Sequence, residues 1–300
     1  MKAKHGMKWM ALLLLAWVGL SEAQLSRLSE WNKSLKNKYD VTYNIGYGTA
    51  HEESNRLDLY VPRDATNPVP VLIWIHGGGW NRLSKDSITS QLVPYLRMGW
   101  VVVNVDYRLT PVAIAPAAVE DCRCVLAWIA KNAGNIKADL TRIVVSGTSS
   151  GGHLALMTGM LPNGTQLDRL CPINPAVSVA AIVNFYGITD VTDLLKGPNR
   201  RGYASSWLGD GPNRAELAKQ VSPLSYIRKD LPPILTIHGD ADPTVPYNHA
   251  VMLHKKLDEF KVPNYLMTIP DGQHGRFSRE QNESILAKIH EFLKAQNIIR

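Results

Sequence analysis

The sequence predicts an α/β fold with a mostly parallel central sheet, helices on both of its faces and a small lid-like insertion. Three observations carry this reading. Short unbroken apolar runs rich in β-branched residues recur from residue 69 onward, the pattern of strands buried on both faces. Amphipathic stretches of helical length alternate with those runs. One long segment, 187–232, holds Gly, Pro, Asn and Trp but no strand, and long loops in compact domains tend to be functional.

The N-terminal residues stand apart from the fold. Lys2, Lys4 and Lys8 precede the apolar run Trp9 to Leu20, and Ser21-Glu22-Ala23 supplies small residues at −3 and −1 of a cleavage site. This is the layout of a secretory signal peptide over residues 1–23. The apolar run is too short to span a hydrocarbon core of ~30 Å as a helix. A mature chain beginning near Gln24 is expected, secreted or periplasmic, with 24–300 forming a single domain and no integral membrane segment.

Residues 24–40 are polar and read as an approach segment. Val41 to Thr49 and Arg56 to Val61 alternate as antiparallel strands do. Val71 to Ile75, Trp100 to Val105, Arg142 to Ser146, Val179 to Phe185, Ile234 to Ile237 and Tyr265 to Ile269 are the expected sheet strands. Ala117 to Ala133, Ser150 to Leu161, Asn248 to Phe260 and Phe277 to Gln296 are the expected helices, with apolar residues at helical spacing.

The formal charge of +7 falls to +5 once the signal segment is removed, and the basic residues are scattered. No arginine-rich stripe or nucleic-acid motif is present, so a nucleic-acid partner is not expected. Cys122, Cys124 and Cys171 match no metal-binding spacing, and neither a metal nor a cofactor enters the reading. Export permits a disulfide, and the odd count leaves one thiol unpaired. Cys122 and Cys124 point in different directions on a helix, so either is open to pairing with Cys171.

Chemistry concentrates at four places. Gly147-Thr148-Ser149-Ser150-Gly151 fits G-x-S-x-G between a strand and a helix, where a serine sits in a strained turn and projects beyond the sheet. His76-Gly77-Gly78-Gly79-Trp80 follows the strand Val71 to Ile75. Backbone N–H groups of Gly78, Gly79 and Ser150 are the candidate donors to a tetrahedral oxyanion, and His76 reads as a turn-stabilising residue. A P-loop is excluded because no lysine or second glycine follows at its spacing.

A serine nucleophile needs a base, and that base an orienting acid. Asp240 and Asp242 both follow the strand Ile234 to Ile237. Asp242 lies further out on the loop, where it can reach a histidine, and is favoured as the acid. His274 occupies a glycine-flanked loop after the strand Tyr265 to Ile269 and is the candidate base. His249, His254 and His290 fall on expected helices and read as packing or surface residues. Trp80, Tyr186 and Trp207 are candidates to shape the substrate pocket.

Together with Asp106-Tyr107-Arg108-Leu109 and His238-Gly239-Asp240-Ala241-Asp242-Pro243-Thr244-Val245-Pro246, these motifs resemble the α/β-hydrolase esterases related to hormone-sensitive lipase. Within them the chain is similar to the bacterial acetyl and feruloyl esterase-like branch, from about residue 41 to the C-terminus. The resemblance implies the α/β-hydrolase fold and Ser149 as nucleophile, Asp242 as acid and His274 as base, with oxyanion contacts from Gly78, Gly79 and Ser150. It also implies a serine carboxylic ester hydrolase working through an acyl-enzyme on short-chain or aromatic acyl esters. Acetyl or feruloyl groups of plant polysaccharide are such substrates. Arg108 is then expected to order structure behind the site.

Two positions depart from the pattern. Ser150 stands where many relatives have alanine, and Thr110 to Ala115 replaces an acidic and aromatic stretch. The alternative reading is an amide hydrolase, a formamidase or an exopeptidase, using the same triad, because function resides in the pocket rather than the fold.

Overall fold

The computed structural model describes residues 37–48, 55–87 and 89–300, and the fold occupies Tyr39–Arg300. The expected signal segment 1–23 lies outside the described residues. Eight strands form one sheet in the order β1-β2-β4-β3-β5-β6-β7-β8. They are β1 (Tyr39–Gly46), β2 (Arg56–Pro62), β3 (Val69–Ile75), β4 (Val101–Val105), β5 (Ala138–Thr148), β6 (Val179–Phe185), β7 (Ile234–Gly239) and β8 (Asn264–Ile269). β1 and β2 pair antiparallel, as does β2 with β4, and every later pairing is parallel.

Burial explains the sheet. Neighbouring residues of a strand face opposite sides, yet all of Val101–Val105 and all of Ile234–Gly239 are buried, so helices and loops cover both faces of the sheet centre. The edge strand β1 keeps most of its residues at least partly exposed, consistent with its alternating sequence. β5 begins at Ala138, four residues before the expected strand. Ala138 lies opposite Val69 across a bulge, an extension set by pairing rather than by the polar Asp139-Leu140-Thr141 sequence.

Four long helices alternate with the strands. These are α2 (Ala117–Ile136), α3 (Ser150–Met160), α6 (Asn248–Glu259) and α7 (Arg279–Ala295), accompanied by the short α1 (Val93–Arg97), α4 (Gly202–Leu208) and α5 (Arg214–Gln220). α7 starts at Arg279 because Ser278 caps it. The Gln281 N–H donates to Ser278 Oγ at 3.2 Å, and the Ser278 N–H donates to Gln281 Oε1 at 2.8 Å. None of the helices among the described residues is long and apolar enough to cross a membrane.

Between β6 and β7 the segment 187–232 carries α4 and α5 but no strand. It is no loose flap, since Ile188, Leu194, Trp207, Leu208 and Val221 are all fully or almost fully buried. Arg108, in the loop after β4, makes a two-pronged ion pair with Asp121 of α2 at 2.7–2.9 Å, and Arg123 of α2 pairs with Asp168 at 2.7 Å. Cys124 is bonded to Cys171, tying α2 to the loop before β6, while Cys122 is a buried free thiol.

Candidate active site

β5 ends in the turn that presents Ser149. This residue has φ 56° and ψ −120°, a conformation that costs a non-glycine residue free energy and persists only when its surroundings enforce it. Ser149 N–H donates to Phe185 O at 2.9 Å, fixing the turn against β6. The flanking glycines are required by close approach. A Cβ on Gly147 would lie 2.5 Å from the carbonyl oxygens of Ile75 and Gly151, and one on Gly151 would overlap Ile75 O. Ser149 precedes α3 but does not cap it with its side chain. Its hydroxyl turns to a histidine instead.

His274 Nε2 lies 2.9 Å from Ser149 Oγ, and His274 Nδ1 lies 2.7 Å from Asp242 Oδ2. Three side chains separated by up to 125 residues thus meet at the C-terminal rim of the sheet. The Asp242 side chain is wholly buried. Its Oδ1 accepts the N–H groups of Thr244 at 2.7 Å and Val245 at 3.0 Å. Burial by itself would raise the pKa of this carboxyl, but hydrogen bonds from His238 and His274 and from the Thr244 backbone outweigh it. The net effect holds Asp242 well below the usual carboxylate range, so it stays ionised. Asp240, its competitor in the sequence, is exposed and among the described residues accepts only the Asp271 N–H at 2.7 Å.

The glycine loop after β3 runs beside the nucleophile. A Cβ on Gly77 would sit 3.3 Å from Ser149 Cβ, and Gly78 and Gly79 take φ values of 115° and 61°. Among the described residues, the Gly78 and Gly79 N–H groups have no backbone acceptor. The Ser150 N–H opens α3 and belongs to the first-turn donors that a helix cannot satisfy internally. His76 does not reach the nucleophile. Its Nδ1 contacts Gly77 O at 2.7 Å, and its ring stacks on Tyr107 at 4.4 Å. Arg108 is buried and held by Asp121 and by Ala117 O of α2.

Ser149 and His274 open onto a cavity of about 410 Å³. Of the three aromatic residues expected to shape it, Tyr186 lines the wall and meets the His274 ring edge-on at 4.7 Å. Trp80 and Trp207 do not reach it. Both are fully buried and stack on each other at 4.1 Å, with His153 edge-on to each. Their large apolar rings are better satisfied by mutual burial beneath the cavity than by exposure in its wall.

Three contributors carry no role in the sequence reading. Tyr203, from α4, lines the cavity and packs over Gly79, where a Cβ would lie 3.4 Å from its ring. Arg201 Nε donates to Thr244 O at 3.0 Å, so the segment after β6 clasps the acid loop while walling the cavity. Burial pushes the Tyr203 hydroxyl up to about 12, leaving a neutral phenol there. His238, at the end of β7, lies 3.3 Å from Asp242 Oδ2. Its place at the C-terminal end of a parallel strand is the signal that marks it in sequence; Tyr203 has none, because its strand-free segment shows no periodicity.

Residues 57–257, about two thirds of the chain, match the family described as BD-FAE. Esterase LipC of Mycobacterium tuberculosis is 31% identical over 204 residues, covering 65% of this chain and 50% of that protein. A kynurenine formamidase of Danio rerio is 30% identical over 173 residues, covering 58% of this chain and 55% of that protein. The chain therefore spans about half the length of the curated relatives it matches. Among solved structures, a truncated carbohydrate esterase from gut microbiota aligns with a TM-score of 0.70 at 25% identity, over 85% of this chain and 96% of that one. With this match running from β2 through the elbow and the acid loop into α6, the chain belongs to the BD-FAE family, within the α/β-hydrolase esterases related to hormone-sensitive lipase.

Proposed function

We propose that the protein is a serine carboxylic ester hydrolase that works through an acyl-enzyme. The observation that carries this is the His274 ring held between Ser149 Oγ and Asp242 Oδ2 at 2.9 and 2.7 Å. Ser149 Oγ attacks the ester carbonyl carbon as its proton passes to His274 Nε2. Asp242 keeps the proton of Nδ1 facing itself and stabilises the imidazolium. The N–H groups of Gly78, Gly79 and Ser150 receive the oxyanion, and losing one such donor costs about 3 kcal/mol of transition-state stabilisation. The alcohol leaves with the proton from Nε2. Water then attacks the acyl carbon with His274 again as base, releasing the acid and restoring the Ser149 hydroxyl.

A cavity of about 410 Å³ walled by Tyr186 and Tyr203 suits a compact acyl group, short-chain or aromatic. The likeness to a carbohydrate esterase supports acetyl or feruloyl groups on plant polysaccharide as substrates. A fluorophosphonate probe and a panel of esters test the proposal. The wild type is expected to be labelled and to cleave acetyl and feruloyl esters, and Ser149→Ala to do neither. Equal labelling of the two proteins overturns it.

The likeness to a kynurenine formamidase favours a second reading, amide hydrolysis by the same three residues. Parallel assays on methyl ferulate, nitrophenyl acetate and N-formylkynurenine separate the two by kcat/KM. Export completes the proposal. The basic and apolar layout of residues 1–23 and the Cys124–Cys171 bond both suit a secreted or periplasmic protein.

A further inference from the structure

We propose that His238 is a positioning residue that tunes the acid–base pair from behind, by holding an Nε2 N–H, which donates to Val245 O, within 3.3 Å of Asp242 Oδ2. This rests on the reading of Ser149, Asp242 and His274 given above. His238 is wholly buried at the end of β7. Its Nε2 faces two acceptors, Asp242 Oδ2 at 3.3 Å and Val245 O at 3.1 Å. Neither oxygen can donate, so Nε2 must carry the proton. Nδ1 is buried without a partner among the described residues. The tautomer is therefore set by the acceptors.

The contacts of Asp242 then divide between its two oxygens. Oδ1 takes two backbone N–H groups, and Oδ2 takes the His274 ring from the front and has the His238 N–H, which donates to Val245 O, 3.3 Å behind it. The front ring, His274, is partly exposed and exchanges protons with the reaction; the rear ring is sealed. An N–H beside Oδ2 offsets its negative charge, so the carboxylate draws a proton onto His274 less strongly. His238 thereby lowers the proton affinity of the coupled pair and keeps more of His274 in the basic form at mildly acid pH. Besides Asp242, the titratable groups facing His238 are Tyr186 from the end of β6, Tyr247 before α6 and His249 on α6. Burial, with the Asp242 charge adding, pushes the Tyr186 hydroxyl far up, so that ring stays neutral.

The test is the pH dependence of kcat/KM for a small acetyl ester in His238→Leu, His238→Asn and His238→Gln. Leucine removes the donor, and the asparagine amide is too short to reach the place of Nε2. The glutamine amide extends to that place. The acidic limb of the profile is expected to move up by about half a pH unit or more in the Leu and Asn variants, and to return towards the wild-type position in the Gln variant. If Leu does not fold, Asn against Gln makes the same comparison between two polar residues. Superimposable profiles for all folded variants and the wild type, or equal displacement in Gln and Asn, overturn the inference. Ser149→Ala run in parallel separates the two levels. Activity surviving in that variant removes the triad reading itself, whereas loss of activity there with undisplaced His238 profiles removes only the rear donor.

Discussion

His153 shows how burial can convert one imidazole into a pH-dependent part of the fold. It lies on α3, where its Nε2 contacts Val221 O at 2.6 Å, and it is packed edge-on against Trp80 and Trp207. Burial depresses its pKa to about 4, the Val221 carbonyl offsetting only part of the effect. The unfolded chain takes up this proton near pH 6.5, before the folded one does, so stability rises with pH between about 4 and 6.5 and is lost as pH falls through that window. At pH 4.5 the loss from this group amounts to roughly 2–3 kcal/mol relative to pH 7. Urea denaturation of wild type and His153→Leu at the two pH values checks this. The variant should lose less stability on acidification by about that amount.

At the scale of elements, the segment between β6 and β7 is where the pocket is decided. Tyr203 projects from the short α4, and Arg201 beside it holds the loop bearing Thr244. Truncating Tyr203 to alanine removes a ring from the cavity wall without touching Ser149, Asp242 or His274. Selectivity is expected to shift by roughly tenfold in kcat/KM towards longer acyl chains relative to acetate, which a series of nitrophenyl esters measures. A second element-level prediction concerns the Cys124–Cys171 bond, which closes a separation of 47 residues between α2 and the loop before β6. Loop-closure entropy assigns it about 4 kcal/mol. Cys124→Ser should lower the urea midpoint and make it insensitive to reductant, whereas Cys122→Ala should leave the reductant sensitivity of the wild type in place.

The whole molecule adds a prediction about where it works. Expressed in a bacterium with its first 23 residues, the protein is expected outside the cytoplasm, with a mature N-terminus at Gln24 read by mass spectrometry of the intact chain. A cytoplasmic protein retaining residues 1–23 removes the proposal of export. The bond between Cys124 and Cys171 fits the same proposal, because such bonds persist where the surroundings are oxidising.

What could be read along the chain was the part governed by local rules. Mostly apolar runs rich in Val and Ile announced β3, β4, β6 and β7, because strands covered on both faces favour apolar residues at most positions. Ser149, Asp242 and His274 were legible because each follows a strand in the order this topology uses, so one rim of the sheet gathers them. Spatial neighbours without a local rule were not legible. The choice of Cys124 over Cys122, the extra pairing that lengthens β5 back to Ala138, the withdrawal of Trp80 and Trp207 into a buried stack, and the arrival of Tyr203 at the site all depend on which surfaces meet. Periodicity records how a residue faces its own helix or strand. Only packing between distant elements determines which side chains touch, because contact energies between them enter after the chain has closed on itself.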